Sequence, residues 1–538
     1  MDGRFAIVGP VRRIGRFALI VFEIAFLSAL ILATRCANYQ DVFVAGNVYF
    51  ADADCYARMT RAEMVREKPG TIIRHHAFEN FPQGTTPHTT ATLDYLIVGL
   101  SVLLNPFTTH ALDLAGAFVS PVLALLGGWF LWWWSRRMKF RYRWPMLILY
   151  VLSPILVHGT ELGRPDHQSL LILLVAVAIC AGWTSQTVQT AKAPSAWQLT
   201  SLAAWALAIW VSAYEPLVMF LILTATCLAM NRGGTFTRNR RAGWLLFAAI
   251  IAIAFAFERR VPSFAVFRPD GHFKEWANTI GELAHVWPMN PVWLSWCGYL
   301  LLFTPVLIWM SIRSPGNGAP RGRDLPLYVL LVAAYFLTLW QARWGYFFVL
   351  IFALALPSLL APIKSGAAVW ITVVLSSFPI LRDWDQRLWP NEAQTARRME
   401  RRIESVQIRD LAVNLRSPGV HPFLAPWWLS PSIAYWSGQP GVAGSSHESL
   451  PGIEESARFF LSMNLQEERE ILEKCDAAWV FSYDSDRVAQ NSAAILNEPL
   501  PSRPLCRALD RTPSRAPPFL IFYAQNPTGK LYRVVVEP

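Results

Sequence analysis

Carboxylates recur in three short motifs of this 538-residue chain: Asp52-Ala53-Asp54-Cys55-Tyr56, Gly163-Arg164-Pro165-Asp166-His167-Gln168 and Thr279-Ile280-Gly281-Glu282. Two carboxylates at i and i+2, such as Asp52 and Asp54, can share a hard cation of the Mg2+ or Mn2+ type, whose other positions go to water and phosphate oxygens. Gly163 and Pro165 break helical conformation ahead of Asp166 and project it from a loop, where it either ligates or caps the helix that follows. Glu282 falls in a stretch, 258–290, that is too long for a plain connector. Arg343, in Trp340-Gln341-Ala342-Arg343-Trp344-Gly345-Tyr346, stands between two apolar runs. A cation there is either an interfacial, snorkelling side chain or a partner for a lipid phosphate or pyrophosphate. Carboxylates that share a surface with such an arginine suit an enzyme acting on a charged, lipid-linked substrate.

The elements that position these residues are membrane helices. The chain is 54% hydrophobic and only 16% charged, too apolar for an ordinary soluble protein. Its apolar residues gather into eleven runs, 17–37, 109–134, 144–160, 169–183, 197–213, 215–230, 243–257, 291–312, 326–341, 344–361 and 366–382, each read as a crossing of a ~30 Å hydrocarbon core. The apolar stretch 93–107 is short and is assigned to an amphipathic or re-entrant external segment. Lys and Arg concentrate before the first run (Arg12, Arg13, Arg16) and in 136–143, 232–241 and 313–323. An odd number of crossings puts all of these on one side, which the positive-inside rule makes cytoplasmic. The N-terminus is then cytoplasmic, the C-terminus extracytoplasmic or periplasmic, and every acidic motif lies outside, as in a multi-pass protein of a plasma (inner) membrane. The net charge of +11 is explained by these loops, without nucleic acid. Residues 1–16 are basic and precede a long apolar run with no small-residue cleavage site, which reads as a retained anchor.

Two parts follow. Residues 1–382 form a transmembrane domain with large external loops at 38–108 and 258–290; 383–538 change composition and read as a soluble extracytoplasmic α/β domain. There, 391–416 and 452–474 have helical patterns, and 477–483, 519–523 and 531–536 alternate like strands. The seven Cys lack metal-type spacing. Cys475 and Cys506 fall where oxidation permits a disulfide that sequence by itself does not establish.

In order, side and extent, covering nearly the whole chain, these motifs resemble the catalytic subunit of oligosaccharyltransferases, of the prokaryotic single-subunit type and the GT-C glycosyltransferase superfamily. Asp52 to Tyr56 resembles that family's first DxD. Phe81-Pro82-Gln83-Gly84-Thr85-Thr86-Pro87-His88 with Leu93-Asp94-Tyr95-Leu96 looks like its first-loop sequence. The second DxD is similar to Asp166-His167-Gln168, the TIxE motif to Thr279–Glu282, and the WWDYG element to Trp427-Trp428-Leu429-Ser430-Pro431. The resemblance implies a GT-C fold of about 11–13 transmembrane helices with a C-terminal mixed α/β extracytoplasmic domain. It also implies metal-dependent, inverting transfer of a glycan from a polyprenyl- or dolichyl-pyrophosphate carrier to an acceptor protein or peptide.

On this resemblance Asp54, Asp166 and Glu282 are the catalytic and metal-binding residues, joined as Mn2+ or Mg2+ ligands by Gln168 and Asp52. Arg343 binds the donor (pyro)phosphate, with Arg58 and His167 as further candidates, and Trp427 and Trp428 bind the acceptor. Arg58 and Arg61 sit one and two turns beyond Asp54 and either touch phosphate or form structural ion pairs; His75, His76, His88 and His167 are further donor-groove candidates. Two departures matter. Gln168 replaces a family carboxylate, although an amide oxygen still binds a hard cation. Leu429 replaces the Asp that accepts a hydrogen bond from the sequon Ser or Thr, which leucine cannot do. Two other readings stay open: a GT-C transferase acting on lipid, cell-envelope glycan or a Ser/Thr hydroxyl, and a non-catalytic binder or transporter of lipid-linked glycan.

Overall fold

A computed structural model of the chain describes residues 8–187, 196–230, 241–259, 272–314 and 323–535. Most of the basic loops at 232–241 and 313–323, the stretch 260–271 and the last residue of the strand expected at 531–536 lie outside these. All eleven apolar runs are helical. Val8–Arg35, Ala111–Arg137, His167–Thr187 and Arg241–Glu258, together with Gly345–Leu360 extended by the 3-10 turn before it to Ala342–Leu360, contain segments long and apolar enough to cross a membrane, and Gly366–Ser376 with Phe378–Leu388, bent by 43°, form a sixth such element. The others are shorter apolar helices, and two expected spans are broken. The run at 144–160 stops at Leu152 and restarts at Pro154 as Pro154–His158, because proline removes a ladder donor and clashes with the preceding turn. The run at 291–312 divides at Gly298, whose φ of +72° and close approach to the Ser376 carbonyl exclude a side chain. The protein is therefore a polytopic helical membrane protein whose helices include several half-length pieces.

The helical core is packed around Gly345–Leu360, which is buried along its entire length. The apolar stretch at 93–107 is the helix Thr92–Leu104, about 20 Å long at 1.5 Å per residue and too short to span by itself. It packs against Ala111–Arg137. The boundary expected at 382/383 falls inside a helix, since Phe378–Leu388 continues through it before the capping box of Glu392–Val413 (Asn391 with Gln394) starts the next.

Beyond that helix lies a four-stranded sheet in the order Phe423–Leu424, Trp479–Tyr483, Gly529–Val534, Leu520–Gln525, the first pair parallel and the rest antiparallel. Helices Ser430–Ser437, Leu450–Leu461, Leu465–Lys474, Ser485–Leu496 and Leu505–Arg511 accompany it. The helix expected over 452–474 is two, separated where Asn464 caps the second. All seven cysteines carry free thiols, so the Cys475–Cys506 disulfide does not form.

Candidate functional site at the junction of the external loops and the helical core

The helix Ala53–Glu67, in loop 38–108, sets the acidic residues at its N-terminus. Asp52 is the N-cap: its Oδ1 accepts the Cys55 amide at 3.0 Å, and its Oδ2 takes Arg164 Nη1 at 2.6 Å. One carboxylate of the first motif is thus spent on the fold. Asp54, the second residue of the helix's first turn, points into a cleft that it lines with Asp166, His167, Gln168, Glu282 and Arg343. Three motifs separated by more than two hundred residues of sequence meet at one opening.

Asp54 is accessible at the cleft wall yet ringed by protein atoms. Burial pushes its carboxyl well above the ordinary range, Asp52 and Asp166 add repulsion, and a hydrogen bond from Ser445 opposes them. Glu282 is raised in the same way, by burial first, with Asp166 and Asp52 adding to the rise and Arg343 opposing it. Asp166 differs: burial alone would raise it, but the His167 imidazole and Arg164 hold it well below the carboxylate range. Its Oδ1 accepts both the His167 amide and His167 Nδ1 at 2.6 Å. Like charges gathered at one opening are the arrangement that a divalent cation relieves. The donor set fits a hard cation: carboxylate oxygens, plus the Gln168 Oε1, which is buried and has no hydrogen-bond partner among the described residues.

Glu282 is oriented by a chain of side chains that returns to the first motif. Tyr346 Oη donates to Glu282 Oε1 at 3.0 Å and lies 2.8 Å from His158 Nδ1, while His158 Nε2 lies 3.0 Å from Arg164 Nη2. Guanidinium nitrogen can only donate, so His158 Nε2 accepts and its proton sits on Nδ1, facing the Tyr346 oxygen. Arg164 therefore donates both to Asp52 and to His158, and from Arg164 through His158 and Tyr346 to Glu282 the donors point one way.

Arg343 sits in the 3-10 turn Ala342–Trp344, with its Nη2 2.6 Å from Glu215 Oε1 and its guanidinium 5.8 Å from the centre of the Tyr214 ring. Glu215 is fully buried. Sequence reading missed it, although an acidic residue between two apolar runs is the signal that would have found it. Arg58 is a correction: it bonds Asp94 at 2.8 Å, Thr89 Oγ1 at 2.7 Å and the Thr90 carbonyl at 3.2 Å, all out of water, which leaves it a structural ion pair instead of a phosphate ligand. Arg61 pairs with the same carboxylate at 3.6 Å.

Trp427 and Trp428 do not line this cleft. Trp427 packs edge-on to Trp276, which does line it, at 5.9 Å between ring centres. The Trp427 indole N–H donates to Asn491 Oδ1 at 2.9 Å, while Arg487 lies 5.4 Å over the Trp428 ring. Leu429 precedes the helix Ser430–Ser437 and packs into the core. Of the four histidines, His88 and His167 border the cleft. His76 is buried, and among the described residues His75 does not line the cleft; its ring lies over Gly84.

No family model matches the sequence, and no curated protein matches it. Solved structures do. Archaeal oligosaccharyltransferase AglB from Archaeoglobus fulgidus, in complex with an inhibitory peptide and a dolichol-phosphate, superposes with a TM-score of 0.66 at 14% identity over 96% of this chain and 74% of that one. The oligosaccharyltransferase of the same organism in complex with Zn and sulfate gives 0.65 at 14% over 95% and 73%. ArnT from Cupriavidus metallidurans bound to undecaprenyl phosphate gives 0.59 at 13% over 96% and 98%. The fold is that of the GT-C membrane glycosyltransferases.

Proposed function

We propose that the protein is a metal-dependent glycosyltransferase that moves a glycan from a polyprenyl or dolichyl (pyro)phosphate carrier to an acceptor protein on the extracytoplasmic face of a plasma (inner) membrane. The observation that carries this reading is the convergence of Asp54, Asp166, Glu282 and Arg343 on one cleft at the edge of the helical core. Solved neighbours with dolichol-phosphate and peptide, or with undecaprenyl phosphate, support the carrier class.

In this mechanism Asp54, Asp166, Glu282 and Gln168 would hold Mn2+ or Mg2+, which would supply positive charge against the oxygens of the departing phosphate. Arg343, kept extended by Glu215, supplies a second charge from the membrane side. Glu282, fixed by Tyr346, and Asp54 engage the acceptor amide; its nitrogen bonds the sugar's anomeric carbon as the sugar–oxygen bond breaks, the electron pair leaves with the phosphate, and one of the two carboxylates takes the amide proton. His167, its Nδ1 held by Asp166, presents its Nε2, unpartnered among the described residues, to the phosphate and donates when that nitrogen carries a proton. Trp276, backed edge-on by Trp427, forms the aromatic wall that receives the acceptor.

A second reading changes the acceptor to a lipid, a cell-envelope glycan or a Ser/Thr hydroxyl. Leu429 and the engagement of the Trp427 indole by Asn491 favour it, since the hydroxyl of a sequon lacks its carboxylate partner. One experiment separates them. Purified protein is incubated with Mn2+, a fluorescent polyprenyl-pyrophosphate glycan, and either an Asn-X-Thr peptide or its Gln-X-Thr control. Transfer to the Asn peptide alone, abolished in Glu282→Ala, supports the first reading. Carrier binding with no transfer to either peptide supports the second.

A further inference from the structure

Among the described residues, one trio of metal-ligating side chains has its ligand atoms all within 4.8 Å of one another, and it is not the acidic cluster but His88, His447 and Glu448. His88 belongs to the first external loop and His447 and Glu448 to the C-terminal domain, 360 residues away in sequence. His88 Nδ1 lies 3.3 Å from Glu448 Oε2, and His447 Nε2 lies 3.2 Å from Glu448 Oε1. Glu448 Oε2 bonds His88, but His447 Nε2 and Glu448 Oε1 are buried atoms without a hydrogen bond of proper geometry among the described residues, so the carboxylate stands between two imidazoles and satisfies only one.

The two segments are clamped before any ligand arrives. Buried Glu79 of the first loop accepts from Ser445 N and Oγ, both at 3.4 Å, and from Ser449 Oγ at 3.3 Å. Asn80 Oδ1 accepts from Gly452 N at 2.8 Å. Backbone bonds join Gly441 N to the Phe78 carbonyl at 3.0 Å and Phe81 N to the Gly441 carbonyl at 3.1 Å. Gly444 admits no side chain, since a Cβ there would sit 2.7 Å from Glu79. The segment carrying His447 and Glu448 is thus held rigidly against the loop carrying His88, as a metal site requires.

We propose that His88, His447 and Glu448 form a Zn2+-class site that fastens the C-terminal domain to the first external loop. Two imidazoles and one carboxylate are the donor set of a borderline cation, whereas the hard Mn2+ or Mg2+ prefers oxygen throughout. Bonds of ~2.0–2.1 Å in tetrahedral geometry put neighbouring donors ~3.3 Å apart; the two imidazoles now lie at that range from different oxygens of Glu448, and with all three ligand atoms within 4.8 Å of one another a small turn of the carboxylate closes them around one ion. Three protein ligands leave a fourth position, and His88 and His447 border the cleft with Arg343, so that position opens toward it. The site is separate from Asp54, Asp166 and Glu282 in both residues and metal preference.

The test is Zn2+ binding by full-length protein in detergent, purified without metal affinity and stripped with chelator, titrated against a fluorescent zinc indicator. Wild type takes up one equivalent, Asp54→Asn takes up the same with unchanged affinity, and His88→Ala, His447→Ala and Glu448→Gln each bind at least tenfold more weakly. Equal melting temperatures of stripped wild type and stripped His88→Ala show that the weakened binding is not misfolding, and added Zn2+ raises the melting temperature of wild type only. Failure of wild type to bind Zn2+, or loss of binding in Asp54→Asn with retention in His447→Ala, overturns the assignment. Neither result bears on glycan transfer, which has its own assay.

Discussion

Replacing Tyr346 with Phe removes one oxygen atom from the buried series between Glu282 and His158. The lost hydroxyl donates to Glu282 Oε1 at 3.0 Å, in a place where burial already disfavours the charged carboxylate. A hydrogen bond to an ionised group is worth ~1.5–3 kcal/mol. Its loss weakens whatever Glu282 holds in its charged form by roughly tenfold to hundredfold, at ~1.4 kcal/mol per factor of ten. The sign follows from the same bond: the donor favours the anion, so without it Glu282 protonates more readily and the acid limb of activity moves to higher pH. The assay is glycan transfer by Tyr346→Phe against wild type across pH 5.5 to 8.5 at saturating Mn2+, with the melting temperature as the control for folding. Transfer and acid limb both unchanged in a folded Tyr346→Phe protein, while Glu282→Ala is inactive, would refute the claim that this hydroxyl governs Glu282.

Other outcomes follow from the same geometry. Glu282→Ala and Asp54→Asn each lose transfer by more than a hundredfold yet keep binding of the fluorescent carrier, measured by anisotropy, because the lost groups act on metal and acceptor. Glu215→Gln leaves Arg343 without its buried counter-charge and, through a misdirected guanidinium, weakens carrier affinity by about tenfold, the scale of a close charge pair's coupling. Arg58→Ala leaves buried Asp94 with only the more distant Arg61 and lowers the melting temperature, by less than the ~3–5 kcal/mol of a fully unpaired buried charge, with carrier affinity per folded molecule unchanged. Chelator-treated protein loses stability as pH rises above the ordinary carboxylate range, because Asp54 and Glu282 bind protons more tightly folded than unfolded. Mn2+ reverses that loss, and Asp54→Asn flattens the slope, both read by thermal denaturation in detergent.

Hydropathy and charge are properties of short windows, and they were enough to find the eleven helical runs, the α/β part and the side-by-side reading of the acidic motifs. The order of those motifs was enough to name the fold class, even though sequence identity to the solved neighbours is only 13–14%. The breaks at Pro154 and Gly298 were not legible, since periodicity continues across a half-length helix. Assigning each carboxylate a job required the tertiary structure. Asp52 and Asp54 are two residues apart and chemically identical, yet helix geometry makes one an N-cap paired with Arg164 and leaves the other at the cleft. Arg58 and Arg343 both looked like phosphate ligands; packing gives the first to Asp94 and sets the second at the opening on Glu215. The His88, His447 and Glu448 trio joins residues 360 apart. Long-range ion pairs and ligand clusters are decided by which surfaces the core brings together, and no local pattern encodes that distance.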